Sequence, residues 1–212
     1  MEKENRPWAV WPSVDPGLAN QCAWRWKKMG YGTAVLLDEW ADVPNADMIV
    51  EGGNWRGFPA AVNRLLQEVQ ADICVVIGDD MFPDCLMTGP QIAKEFRARF
   101  PDLVGVMQPT GDKYGSIETC AVAPWIGRGY VKQCKGQVYC EEYFHYFSDE
   151  ELCLTATAQG CYWKRPDLRQ YHDHWGRVKG QEHPPHLETA QKRWAQDRDT
   201  FERRRRNGLS NL

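Results

Sequence analysis

Apolar and polar positions follow two periods along the first half of the chain, and the switches between them mark successive elements. Trp8-Ala9-Val10-Trp11 is a short β-rich run stopped by Pro12-Ser13. From Leu18 to Met29 apolar residues recur at helical spacing, and Gly30 and Gly32 can end that helix. Thr33–Leu37 predicts a strand closing at Asp38, and Asp47–Val50 another closing at Glu51-Gly52-Gly53. Phe58–Val69 predicts a helix with Ala61, Leu65, Leu66 and Val69 on one face. Ile73–Ile77 is apolar throughout, the pattern of a strand covered on both faces, and it ends at Gly78-Asp79-Asp80. Gln91–Phe100 predicts a helix and Leu103–Met107 a strand.

This alternation implies an α/β fold with a mostly parallel central sheet, right-handed crossovers and helices on its faces. In such sheets ligands bind beyond the carboxyl ends of the strands, where Asp38, Glu51, Asp79 and Asp80 all fall. The second half is less regular. Residues 108–147 hold many Gly and Pro and no sustained period, so no element is assigned there. Asp149–Ala158 predicts a helix, Cys161–Lys164 a strand, and Pro184-Pro185 a break. His186–Asn207 then reads as one long helix with Leu187, Trp194 and Phe201 in a narrow stripe, ending in the basic run Arg203–Arg206. The stripe must lie on the domain or on a partner, so it is also suited to pairing two chains. We divide the chain into a domain over 1–180 and a C-terminal helix over 181–212.

Composition narrows the class. The chain has 212 residues, 42% hydrophobic and 26% charged, which excludes disordered, collagen-like and coiled-coil chains. A net charge of −3 gives no global field for nucleic acid, although the four consecutive arginines suit an anionic acceptor or a helix C-terminus. No apolar run reaches the roughly 18 residues of a membrane span, and residues 1–7 lack a signal-like apolar core. Eight cysteines include no Cys-x-x-Cys pair. A cytoplasmic protein with reduced, mostly buried thiols is the expectation. Of the ten tryptophans, most are expected in the core, with one or two exposed for stacking on a sugar or a base.

Two carboxylates at one loop, Asp79 and Asp80, need donors or a cation if both are charged. They suit a divalent metal bridging phosphates, or else a turn Asp followed by a helix cap. The surrounding stretch, Ala71 through Asp84, resembles the metal-binding segment of glycosyltransferases of the GT-A (Rossmann-like) fold, especially the inverting family 2 type. Asn54 through Arg64 is similar to the Asn/Gly/Ala/Asn segment opening the preceding helix. Phe147 through Leu154 is similar to the Glu-Asp-x-Asp-Leu segment. Gly160 through Trp163 and Tyr171-His172-Asp173-His174-Trp175 are similar to the closing strand and its histidine. The matches keep the family's order over roughly residues 8–175.

The resemblance implies a nucleotide-sugar donor, Mn²⁺ or Mg²⁺ as cofactor, and transfer to a hydroxyl acceptor with inversion. Asp80 would be the metal ligand, with His172 or His174 beside it. Gly78 stands where the family's Asp-x-Asp motif begins, a departure. Pro12, Ser13, Asp38, Asn54, Asn63 and Asp79 would line the donor site. Asp149 aligns with the catalytic base, Glu150 is the nearby alternative, and Ser148 departs from the usual Glu. Trp125 lies where the donor sugar and acceptor are met, with Glu118 placed for donor hydroxyls and His145 for the acceptor. Short versions of the family are similar to products of phage or mobile elements, which adds modified DNA bases to glycans as acceptor classes and would make the host's cytoplasm the location. Two other functions compete. A nucleotidyltransferase on a related sheet would want a basic, glycine-rich loop after the first strand, and Pro12–Gly17 has no basic residue. A non-catalytic carbohydrate- or nucleotide-binding module would use the tryptophans but leave Asp80 and Asp149 without a role.

Overall fold

A computed structural model of the chain describes residues 6–110, 117–173 and 185–209. The first half runs β1 (Trp8–Ser13), α1 (Pro16–Lys28), β2 (Gly32–Leu37), β3 (Met48–Glu51), α2 (Phe58–Glu68) and β4 (Ile73–Val76). It continues through β5 (Met81–Phe82), α3 (Gly89–Arg99), β6 (Val106–Thr110), β7 (Trp125–Gly127) and α4 (Arg128–Gln133). The chain closes with α5 (Ser148–Ala158), β8 (Tyr162–Arg169), β9 (Tyr171–His172) and α6 (Glu188–Arg206).

One seven-stranded sheet has the order β3-β2-β1-β4-β7-β6-β8. Only β7 runs against the others: it is antiparallel to β4 and to β6, while the remaining pairings are parallel. Every residue of β2 and β4 is buried, as expected for strands covered on both faces. Trp11, Trp26, Tyr31, Leu65, Leu66, Phe96 and Trp125 are the large side chains that fill the space between sheet and helices.

Local chemistry sets the helix starts. Asp15 caps α1 by accepting from the amides of Gly17 (2.8 Å) and Leu18 (3.0 Å), so that helix begins two residues before the expected Leu18. The Gln91 side chain accepts from the Thr88 amide at 2.8 Å, which moves the start of α3 to Gly89. Leu103 adopts φ 59°, a turn that delays β6 to Val106. β8 extends to Arg169 through Pro166, which an edge strand tolerates. β7 and α4 are not expected from the sequence: both arise from a Gly- and Pro-containing stretch with no readable period.

The cysteines are all free thiols, five of them buried. Tryptophan exposure is wider than expected: Trp24, Trp40, Trp55 and Trp194 are all exposed. Among the described residues no helix is long and apolar enough to cross a membrane. The C-terminal helix α6 lies on the domain itself. Phe201 stacks on Phe147 at 5.4 Å, and Trp194 meets the same ring at 5.6 Å. Part of the apolar stripe is thus covered within the chain.

Candidate active site

The parallel strands β1 and β4 are neighbours, so the residues that leave them meet. Ser13, the last residue of β1, donates its hydroxyl to Asp79 Oδ2 at 2.6 Å. Trp11, two residues earlier on the same face, donates its indole N–H to Asp79 Oδ1 at 2.7 Å. Both carboxylate oxygens of Asp79 are therefore held by protein donors. Burial pushes Asp79 up to about 6, the charges of Asp80 and Asp15 act the same way, and the bonds from Ser13 and Trp11 oppose them.

Asp80 is differently placed. Its side chain is 41% exposed, and its Oδ2 lies 3.1 Å from Nε2 of His172. The contact exists because the short antiparallel pair β5–β9 sets Met81 opposite His172, with the Asp173 amide donating to the Asp80 carbonyl at 2.8 Å. A Cβ on residue 78 would approach Asp80 Oδ1 to 2.8 Å, so Gly78, the departure from the Asp-x-Asp pattern, leaves room for this carboxylate. The carboxylate of Asp80 and the imidazole of His172 are the residues here that could hold Mn²⁺ or Mg²⁺. His174 lies outside the described residues.

Asp38 and Asn54 line one cavity of about 250 Å³ at the ends of β2 and β3, together with Trp55, Arg56, Arg64 and Glu141. Burial raises Asp38 above the usual aspartate value, and Glu39 adds to it. Pro12 is half-buried at the end of β1, opposite Leu36. Asn63 is not available to a donor. It is fully buried, donates to the Tyr139 carbonyl at 2.8 Å and accepts from the Tyr139 amide at 3.0 Å, because its position on α2 faces the segment that leads to α5.

The second centre lies on the same edge of the sheet, and the reversed strand is the reason. Because β7 is antiparallel, the chain entering it stands where β4 ends: the Val76 amide donates to Pro124 O at 2.9 Å. Just upstream, the Ala121 amide donates to the carbonyl of Asp149, tying the start of α5 to this edge. Asp149 and Glu150 occupy the first turn of α5, behind a left-handed Phe147 (φ 68°) at the N-cap. Ligand atoms of Asp149, Glu150 and Cys120 lie within 4.8 Å of one another. Burial pushes Glu150 up to about 9, helped by a hydrogen bond to Asp149 and by its charge. Glu150 Oε2 is buried without a hydrogen-bond partner. The Cys120 thiol is pushed up to about 12, first by burial and then by the two carboxylates. Burial thus favours the protonated forms of the Cys120 thiol and of Glu150.

Three further positions named from the sequence separate from this picture. Trp125 is a correction: it is fully buried in β7, edge-on to Tyr31 at 5.7 Å, with its N–H donated to Gln170, so its ring cannot face a sugar. The resemblance implies a sugar contact there, whereas the pairing of β7 with β4 and β6 puts the ring in the core. Glu118 is exposed and pairs with Lys164. His145 packs edge-on against Phe58 and Tyr146. Of the arginine run, Arg203 and Arg204 are engaged by Glu142, and Arg204 also by Glu151, which leaves Arg205 and Arg206 exposed to solvent.

The sequence assigns no role to Trp11, Cys120 or Asp197, and brings in Arg204 only as part of the basic run. For Asp197 the signal was present: it falls between Trp194 and Phe201 on the inward stripe of α6, where an acid needs a partner.

No protein-family model matches the sequence, and no curated protein matches it. Solved structures do. S. aureus TarS superposes with a TM-score of 0.59 at 11% identity, over 80% of this chain and 37% of that one. Residues 1–349 of TarS in complex with UDP-GlcNAc give 0.55 at 11% identity, over 80% and 59%. The glycosyltransferase GlyE of Streptococcus pneumoniae TIGR4 gives 0.50 at 10% identity, over 76% and 46%. The chain thus spans well under two thirds of these proteins. At these identities the likeness establishes the fold, an α/β architecture of the GT-A type with a mostly parallel sheet.

Proposed function

We propose that the chain is a glycosyltransferase that moves a sugar from a nucleotide-sugar, a UDP-sugar by preference, to a hydroxyl acceptor with inversion. The observation that carries this reading is the placement of two different acidic centres on one strand edge. Asp80 lies open beside His172; Asp149 and Glu150 stand together in the first turn of α5, beside Cys120. The fold adds support, since TarS of the same architecture has been solved with UDP and with UDP-GlcNAc.

Asp80 and His172 would hold the metal, which when bound supplies Lewis-acid stabilisation of the leaving diphosphate. The cavity at Asp38 and Asn54 would hold the nucleoside. Asp79, fixed by Ser13 and Trp11, keeps the β1 and β4 loops together beneath it. Asp149 would take the acceptor's hydroxyl proton as that oxygen bonds to the anomeric carbon and the bond from carbon to phosphate oxygen breaks. Glu150, protonated, would donate to Asp149 and keep it oriented. Acceptor classes remain glycans and modified DNA bases. The free pair Arg205–Arg206 gives the second class less charge than the whole run suggested. A nucleotidyltransferase gains no support: the α1 amides that could cradle phosphate are already taken by Asp15.

The test is release of nucleoside diphosphate from a panel of nucleotide-sugars, with and without Mn²⁺, alongside thermal shifts in the same mixtures. Metal-dependent release that falls by about 10²-fold or more in Asp80→Ala and in Asp149→Asn is the expected result. Absence of both release and thermal stabilisation with every donor would overturn the proposal. Stabilisation that is equal in wild type and Asp149→Asn, with turnover by neither, even with acceptors added, would favour a binding module.

A further inference from the structure

The acidic pair is held from behind by a helix some fifty residues away in sequence, and the hold is specific. Asp197 of α6 is 1% exposed. Its carboxylate accepts the amides of Phe144, His145 and Tyr146, each at 2.9 Å. Consecutive peptide N–H groups turned to one point form a concave anion site, and here α6 fills it. The same segment is fixed on its other side by α2, whose Phe58 amide donates to the Phe144 carbonyl at 2.8 Å. One residue beyond the clamped amides is Phe147, stacked on Phe201 of α6.

A second tie follows one turn later. Glu151, 2% exposed, is the next residue after Glu150. Arg204 reaches it with Nε at 3.0 Å and Nη2 at 2.8 Å, and Nη1 of the same group lies 3.2 Å from Glu142. The Tyr143 hydroxyl donates at 2.6 Å to Glu151 Oε2, the oxygen that Arg204 Nε also contacts. The residues on both sides of Asp149 and Glu150 are therefore bonded to α6, while the pair itself contacts Cys120 and the sheet edge.

We infer that α6 is a positioning element for the acid–base pair, with Asp197 and Arg204 as its positioning residues. This rests on the reading of Asp149 as the base. The helix does not contribute a group to the chemistry; it sets where the first turn of α5 stands. Displacements of about 1 Å at a reacting group can cost about 10²-fold in rate, so a loosened clamp should act on turnover before it acts on donor affinity.

The test uses the full chain carrying Asp197→Asn or Arg204→Lys, with Glu202→Gln on the exposed face of the same helix as the control. Asp197→Asn keeps the shape but turns one amide N–H toward another. Arg204→Lys keeps the charge but loses the fork that grips Glu151. Two measurements are made: kcat and KM for the donor, and ¹³C-carboxyl titration of Asp149 and Glu150 by NMR. The expected result is a fall in kcat of about 10- to 10²-fold with KM for the donor within about 2-fold. The upper titration, near 9 in the wild type, should also move toward the ordinary carboxylate range by about one pH unit or more. Glu202→Gln should match the wild type in both. An unchanged kcat and unchanged titration in folded Asp197→Asn and Arg204→Lys would overturn the inference, as would kcat and KM changing together with no change in titration. If the wild type turns over no donor, the proposed function fails, and the titration alone decides the role of α6.

Discussion

Replacing Glu150 by Gln should stabilise the protein at neutral pH while removing a group of the candidate site. Glu150 is pushed up to about 9 from the ordinary 4.5, first by burial and then by its bond to Asp149 and that residue's charge. The folded chain therefore holds a proton that the unfolded chain releases above about 4.5. Stability from this group is fully present below 4.5 and is lost as pH rises toward 9. At about 1.36 kcal/mol per pH unit, the two and a half units up to pH 7 set a ceiling of about 3 kcal/mol. The site is partly open to solvent and the proton is shared, which brings the expectation to about 1–2 kcal/mol. Gln matches the neutral form and avoids that cost. In a chain of this size about 1–2 kcal/mol corresponds to roughly 2–8 °C in Tm. Thermal unfolding at pH 5 and pH 7.5 checks it: the variant should melt higher at pH 7.5, and the gap should nearly close at pH 5. Diphosphate release should survive within about 10-fold, because the amide still donates to Asp149. A variant less stable than wild type at pH 7.5, or a Tm difference independent of pH, would refute the reasoning.

Ser13→Ala removes the 2.6 Å hydroxyl bond to Asp79, a bond to a charged group worth about 1.5–3 kcal/mol. Urea unfolding should show a loss of about 2 kcal/mol at pH 8 that shrinks below pH 6, where Asp79 takes up a proton; an equal loss at both pH values would contradict the assignment. Gly57→Ala should cost about 2 kcal/mol or more in denaturant melts, since φ is +105° and the new Cβ would stand 2.4 Å from the Phe144 carbonyl oxygen. A loss under about 0.5 kcal/mol would mean that the contact between α2 and the clamped segment yields easily.

The parallel half of the fold was legible because its strands are apolar on both faces and its helices carry an apolar stripe. Thr33–Leu37 and Ile73–Ile77 declare themselves in this way, and the acids that follow them mark the ligand edge. β7 was not legible. Three residues give no period, and nothing local distinguishes an antiparallel insertion from another parallel strand. Trp125, which the resemblance puts beside the sugar, lies in that strand and packs in the core. Asn63 was misplaced for a related reason: a polar residue near a motif reads as a ligand group, although its helical position points at a distant backbone that no local pattern shows. Asp80 and Asp149 are named from ordered motifs that resemble a family, not from a local period. The trio around Glu150 depends on Cys120, twenty-nine residues before Asp149, which only the tertiary fold brings near.

Arg128 gives the reversed strand a second consequence, for the order in which the chain can fold during synthesis. Its guanidinium donates to the carbonyls of Leu66 at 2.6 Å and Ala71 at 3.0 Å, and also to Val69, so it closes the C-terminal end of α2. The residues just before it, Trp125–Gly127, cover the open edge of β4. Until this short segment emerges, four parallel strands stand with an apolar edge unpaired and a helix end unsatisfied. At about 5–20 residues per second the interval between β4 and Arg128 lasts roughly 3–10 s. One segment ends both exposures together. The nascent chain thus loses both exposures in one step, and the open side of β6 and the two acidic centres wait for the later segments α5, β8 and β9.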